Sequence, residues 1–158
     1  MTKLLLSVLL SALVTSGSAA LATDSVDPVI GTWKLNLSKS TFGGIPAYKS
    51  QIRTYSRSAR GVTLKMTTVS AEGKETTTNA TYQVNGKDYP SMGNFDFDSL
   101  AGNQIDTNTV EFTLKRAGKP VGKIRRTVSE DGRTLTINFV LTNAKGVQTS
   151  ALTVFDRQ

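Results

Sequence analysis

The side chains that most enzymes use for chemistry are largely missing from this chain. Its 158 residues include no histidine and no cysteine. This removes the commonest general base, the thiolate nucleophile and most zinc sites, so no Ser-His-Asp device can be built. Two carboxylate pairs remain, Asp96 with Asp98 and Glu130 with Asp131, and the first could serve acid–base or calcium chemistry. Both pairs lie in turn-like segments, where acidic residues are usual. We therefore expect no enzymatic activity, no metal and no cofactor.

One basic residue, Arg126, is a candidate for ligand binding. Strict alternation along its predicted strand puts Arg126 on the same face as the apolar Ile124. An arginine pointing into an apolar interior is costly unless it is paired, so it could meet a ligand carboxylate or phosphate. The alternative is a bulge that shifts the register, or a side chain that reaches out through one end of the fold. A second basic and aromatic face consists of Arg53, Tyr55 and Arg57. We expect it to be solvated, with contact to a ligand as the alternative.

The elements that position these residues are short strands. From Gly31 onward, runs rich in threonine, valine and aromatic residues are separated by glycine-containing turns, which is typical of antiparallel sheet. Asn85-Gly86 and Asp131-Gly132 are signals for tight hairpins. Ten strands are predicted, over residues 31–37, 51–58, 62–70, 75–84, 87–90, 99–105, 109–116, 121–129, 133–142 and 147–156. The link at 38–50 has no periodic pattern and is expected to cover one end of the fold.

Nearly every predicted connection is a local hairpin, and this favours one architecture. A meander of eight to ten strands removes its exposed edges most simply by closing on itself. The predicted fold class is therefore all-β, an antiparallel up-and-down barrel, with a β-sandwich as the alternative. The apolar residues expected to line a ligand cavity are Leu64, Met66, Phe112, Leu114, Ile137 and Phe139. In the run 151–155, alternation leaves open which face points inward.

The amino terminus has the three parts of a secretory signal. Lys3 is followed by an apolar run over 4–14 and by a small-residue exit. We expect cleavage after Ala22, with cleavage one to three residues earlier as an alternative. Cleavage after Ala22 leaves a single domain over 23–158. A retained membrane anchor is the alternative, but the run is shorter than the roughly 20 apolar residues that cross a bilayer. The protein is thus expected to be exported, to the periplasm or out of the cell, with no membrane span after processing.

Composition adds limits on stability and partners. A chain without cysteine can carry neither a disulfide nor a lipid on an amino-terminal cysteine, so packing must stabilise the fold. Residues 23–158 contain 18 basic and 12 acidic side chains, and we expect these to form a solvated basic surface. Outward-facing Lys, Glu and Thr also argue against an outer-membrane barrel. Nucleic acid is not expected as a partner outside the cytoplasm.

The segment from Gly31 to Phe42 resembles the first strand of the calycin barrels, the lipocalins and intracellular fatty-acid-binding proteins. Gly31 and Trp33 match their Gly-x-Trp motif. The resemblance implies that the glycine lets the chain pass close to the barrel end and that the tryptophan plugs it. It also implies that Arg157 packs over Trp33, the alternative being an unpaired terminal residue. The whole pattern is similar to small exported bacterial lipocalin-like proteins of unassigned function.

The carboxyl-terminal run 153–157 resembles the last strand of the fatty-acid-binding proteins, with one departure. Thr153 and Phe155 stand where that family has the arginine and tyrosine that hold a fatty-acid carboxylate. That carboxylate clamp is therefore not implied for this chain. The stretch between Phe42 and Gln51 is also too short for the two lid helices of that family.

Two functions remain open from the sequence. The first is a carrier or sensor that binds a small apolar or amphipathic molecule, neutral or anionic, inside the barrel. The second is a filled barrel that binds a protein, as an inhibitor or envelope adaptor, through anchors in its loops. The candidate anchors are Phe42, Tyr48, Phe95 and Phe97. A cavity of several hundred cubic ångströms would favour the carrier.

Overall fold

A computed structural model describes residues 27–44, 47–93 and 96–158 of the chain. They form ten strands: β1 (Gly31–Gly43), β2 (Tyr48–Ser58), β3 (Gly61–Ser70), β4 (Glu75–Tyr82), β5 (Asp88–Met92), β6 (Ser99–Asp106), β7 (Thr109–Arg116), β8 (Lys119–Val128), β9 (Thr134–Thr142) and β10 (Gln148–Arg157). Each strand pairs antiparallel with the next, and β1 pairs with β10, which closes the barrel. The predicted up-and-down barrel is confirmed and the sandwich alternative is wrong.

The predicted signal segment, residues 1–22, lies outside the described residues, so its cleavage stays a prediction. In the part of the chain that the structure describes, no helix has the length and apolarity needed to cross a bilayer.

The first strand is longer than its sequence pattern predicted. β1 continues to Gly43 instead of ending at residue 37. Its register with β10 jumps from Asn36↔Val154 to Thr41↔Leu152, so extra residues of β1 loop out between the two stretches. Ser40 supports this bulge, because its hydroxyl accepts from the Val154 N–H at 2.9 Å. The bulge interrupts alternation, which explains why residues 38–43 have no periodic pattern.

Two apolar clusters fill most of the interior, and together they confirm the predicted inward rows of β7 and β9. The first has Val29, Trp33, Leu35, Tyr55, Val128, Leu135, Ile137 and Phe155 as its buried members. The second contains Ala80, Tyr82, Phe97, Leu100, Val110, Phe112, Leu114 and Leu141. On β10 the buried face carries Ala151, Thr153 and Phe155, which decides the orientation that alternation left open.

The barrel has two different ends, which we call the first end and the second end. The first end carries residues 27–30 and the turns β2–β3, β4–β5, β6–β7 and β8–β9. The second end carries the other five connections, including β1–β2 and β5–β6. Ile45, Pro46, Asn94 and Phe95 belong to those two connections and lie outside the described residues. The segment 38–50 therefore reaches the second end, where it was expected to cover the barrel.

Candidate ligand-binding site

Trp33 and Arg157 close the first end of the barrel. Trp33 is fully buried, and its Nε1–H donates to the Val29 carbonyl at 2.7 Å. The guanidinium carbon of Arg157 lies 4.1 Å from the centroid of the Trp33 ring. Arg157 also donates to three backbone carbonyls, those of Pro28, Ile30 and Gly132. The structure thus places Arg157 over Trp33, and the alternative of an unpaired terminal side chain is wrong.

Gly31 makes room for this arrangement. Its φ is +138°, and a Cβ added there would lie 2.5 Å from Nη1 of Arg157. Only a residue without a side chain lets the chain pass this close to the guanidinium without displacing it. The three residues of the predicted barrel end, Gly31, Trp33 and Arg157, are therefore in contact at one place.

Arg126 points inward, without the register shift that was its alternative. Its side chain is only 2% exposed, and Nη2 forms a 2.7 Å ion pair with Asp27. Nη1 donates to the Tyr82 hydroxyl at 3.0 Å. The rings of Tyr55 and Phe112 each lie 5.8 Å from the guanidinium carbon. The carboxylate that faces Arg126 is thus the chain's own, and a contact between Arg126 and a ligand stays a prediction.

Burial keeps the phenol of Tyr82, which contacts this ion pair, in its neutral form. Burial raises the pKa of Tyr82 well above its ordinary value of 10.0, although the positive charge of Arg126 acts in the opposite direction. The phenol therefore stays neutral and can accept from Arg126. The other oxygen of Asp27 accepts from the Val29 N–H at 3.0 Å. Asp27 therefore connects the turn at residues 27–30 to Arg126 in the barrel interior.

An apolar cavity lies between this closed end and the second end. Its volume is about 140 Å³. It is bordered by Tyr48, Gln51, Arg53, Leu64, Met66, Thr78, Ala80, Ser91, Phe97, Leu100, Ile124, Ile137, Phe139, Ala151 and Thr153. This is below the several hundred cubic ångströms that would favour the carrier, and below the roughly 300–1,000 Å³ of sites for drug-sized ligands. It is close to the volume of an engineered apolar cavity of about 150 Å³ that binds benzene.

Four of the predicted ligand-binding residues line this cavity, and three do not. Leu64, Met66, Ile137 and Phe139 are part of its wall. Phe112 and Leu114 pack within the second apolar cluster, and Arg126 lies beside the first end. None of these three side chains borders this cavity, and their role in binding stays a prediction.

Arg53 belongs to the face for which contact with a ligand was the alternative, and the expectation that this face is solvated is wrong for Arg53 and Tyr55. Arg53 lines the cavity, Tyr55 is buried, and Arg57 alone of the three is exposed. The apolar residue Ile52 points outward instead, so apolar and polar residues do not separate cleanly by face. The pairing register of β1 with β2 is the signal that could have revealed the inward orientation of Arg53. Arg53 is paired with the inward-facing Trp33.

The carboxylates considered for catalysis take part in loop contacts at the second end. Asp98 accepts from the Ala117 N–H at 2.8 Å and from the Ser99 hydroxyl at 3.0 Å. These hydrogen bonds, led by that of Ala117, lower the pKa of Asp98. Arg116 Nη2 lies 3.9 Å from a carboxylate oxygen of Asp96. Within the described ranges, no three acidic residues converge as a metal site would require.

The aromatic residues suggested as protein-binding anchors are mostly packed against the barrel. Phe97 is buried, with 7% of its surface exposed. Phe42 and Tyr48 are half-buried and form an edge-to-face pair with centroids 5.4 Å apart. Phe95 lies outside the described residues. Three of the four candidates therefore do not project as free anchors.

The barrel is similar to a solved ligand-binding protein. The structure is that of the zebrafish ileal bile acid-binding protein complexed with cholic acid. The likeness covers 83% of this chain and 99% of that one, with a TM-score of 0.51 and 12% sequence identity. At this identity it shows a shared fold and no more, a closed antiparallel barrel. No protein-family model and no curated protein sequence matches the chain.

Proposed function

We propose that this protein is an exported, lipocalin-like barrel that binds a small apolar or amphipathic molecule, with an anionic group, in the cavity described above. The observation that carries the proposal is a cavity with an apolar wall behind a closed barrel end. Apolar pockets with a few polar groups are the usual sites of small ligands. The solved neighbour, a bile acid-binding protein with cholic acid, supports the same type of function for this fold.

The volume narrows the class of ligand. A cavity of about 140 Å³ has room for a group about the size of one aromatic ring. A larger amphipathic molecule would place only one end inside, with the rest at the second end of the barrel. The proposal therefore favours compact ligands over long-chain fatty acids that are fully enclosed.

Filling the cavity is expected to abolish binding. Ala151 lines the cavity from β10, so Ala151→Leu puts a larger side chain into the space that the ligand would occupy. Benzyl alcohol, a neutral probe of suitable size, should shift the methyl NMR signals of Leu64, Met66 and Ile137 in the unaltered protein. We expect its affinity to fall by about tenfold or more in Ala151→Leu.

The matched control is Ala144→Leu, the same substitution at an exposed residue of the β9–β10 turn. It should leave the titration unchanged. If neither benzyl alcohol nor an anionic probe with the same ring, benzoate, perturbs the methyl signals of Leu64, Met66 or Ile137 in the unaltered protein, the proposal fails. If Ala151→Leu binds as tightly as Ala144→Leu, the binding site is elsewhere.

Export has its own test. When the full chain is produced in a bacterium with a secretion pathway, we expect the protein in the periplasm or medium. The intact mass should correspond to residues 23–158, because Ala20 and Ala22 supply the small residues that a signal peptidase reads. A mass of the full chain, recovered with the membrane fraction, would support the retained-anchor alternative instead.

A further inference from the structure

We propose that Arg53 is the anion-binding residue of the cavity and that it receives the carboxylate of a compact carboxylic acid, which enters charged end first. This inference rests on the proposed function, because it names the chemistry of the ligand for the same cavity. It also moves the expected anion contact from Arg126, which has an internal partner, to a different arginine on a different strand.

The register of β2 places Arg53 at the floor of the cavity. Arg53 is opposite Trp33 of β1 on one side and Met66 of β3 on the other. Its guanidinium carbon lies 4.9 Å from the centroid of the Phe155 ring, which belongs to the cluster of the closed end. Tyr48 lies further along β2, towards the second end. A molecule that enters from the second end therefore meets Arg53 last.

Arg53 differs from Arg126 in having no acidic partner among the described residues. The five ion pairs found there involve other basic side chains. The hydrogen bonds of Arg53 go to neutral acceptors, from Nε to Gln51 at 2.9 Å and from Nη1 to the Tyr55 hydroxyl at 3.5 Å. A guanidinium has five N–H donors, so donors remain for a ligand. A charge facing an apolar cavity is stabilised by an anion that binds beside it.

The neighbours of Arg53 hold it in a defined orientation. Gln51 is only 2% exposed, and its amide nitrogen donates to the Thr68 hydroxyl at 2.8 Å. This leaves the Gln51 oxygen directed at Nε of Arg53. Tyr48 lines the same cavity, and burial raises the pKa of its phenol while the charge of Arg53 opposes this rise. The phenol therefore remains a neutral hydrogen-bond donor near the arginine.

Charge and volume together select the ligand class. A single arginine among neutral polar groups balances one negative charge. Its planar guanidinium can donate two parallel N–H bonds to a carboxylate. The volume of about 140 Å³ limits the enclosed apolar part to about one ring or a short chain. The apolar end would then contact the wall formed by Phe97, Leu100 and Phe139.

The test compares two probes with the same apolar ring, benzoate and benzyl alcohol, by NMR titration and calorimetry near neutral pH. In the unaltered protein benzoate should bind more tightly than benzyl alcohol. In Arg53→Gln the affinity for benzoate should fall by about tenfold or more, while benzyl alcohol stays within about threefold. Arg53→Lys, which retains the charge, should keep part of the preference for benzoate.

The control variant is Arg57→Gln, which removes the same charge from an exposed site on the same strand. It should leave both affinities unchanged, so that a general loss of positive charge is separated from a local contact. Equal binding of the two probes, or an unaltered benzoate affinity in Arg53→Gln, would overturn the inference and leave the cavity-binding proposal standing. If neither probe perturbs Leu64 or Met66, the proposed function itself fails, and this inference with it.

Discussion

Replacing Asp27 by asparagine is expected to lower the free energy of unfolding by about 3–5 kcal/mol. The substitution keeps the shape of the side chain but removes the negative charge that lies 2.7 Å from Arg126. Arg126 is 2% exposed and cannot recover hydration, so its charge would remain buried without an ionic partner. Urea unfolding followed by far-ultraviolet circular dichroism measures the loss.

A surface ion pair provides the control. Lys115 and Asp88 are 2.7 Å apart, with 24% and 47% of their side chains exposed. Asp88→Asn should cost only about 0–1 kcal/mol, because solvent screens such a pair. In the double variant Asp27→Asn, Arg126→Met, no unpaired charge is buried, and we expect part of the stability to return. A loss for Asp27→Asn no larger than that for Asp88→Asn would contradict the structural account.

The second large loss of stability is expected from Trp33→Ala, at the closed first end of the barrel. This change empties a fully buried site and removes the surface on which the Arg157 guanidinium is stacked. Truncation of a buried tryptophan lowers the free energy of unfolding by about 3–5 kcal/mol. Trp33 is the single tryptophan of the chain, so the loss is followed by circular dichroism instead of by its fluorescence.

Trp33→Phe separates the packing from the hydrogen bond. It keeps an aromatic ring under Arg157 and removes the Nε1–H that donates to Val29. We expect a smaller loss, about 1–3 kcal/mol, because the Val29 carbonyl loses its donor and part of the ring volume is missing. Equal losses in the two variants would show that the ring itself contributes little.

These variants and the cavity variants act on different parts of the barrel. Asp27, Trp33 and Arg157 stabilise the first end, and none of them lines the cavity. Ala151 and Arg53 do line it, and neither is part of the ion pair that anchors the amino-terminal turn. We therefore expect these variants to change stability and ligand affinity separately. A loss of binding in Arg53→Gln without a loss of stability would mark Arg53 as a binding residue.

Much of the fold could be predicted because its causes are local. Hairpin signals such as Asn85-Gly86 mark the turns, and alternation marks the faces of β7 and β9. The prediction failed where a tertiary feature interrupts the local pattern. The bulge of β1 after Asn36 depends on Ser40 contacting Val154, 114 residues away. No local period records such a contact.

The features of the candidate site could likewise be predicted from the sequence only in part. The sequence by itself determined that the interior would be apolar, since residue type and alternation decide which faces are buried. The resemblance of Gly31 and Trp33 to a Gly-x-Trp motif implied in addition that a tryptophan would stand near one barrel end. Only the tertiary structure decided which interior arginine has an acidic partner among the described residues. Arg126 is paired by Asp27, 99 residues earlier, while Arg53 faces the cavity with neutral neighbours. The physical reason is that ion pairing and cavity volume depend on where distant side chains meet, and no segment of the sequence contains that information alone.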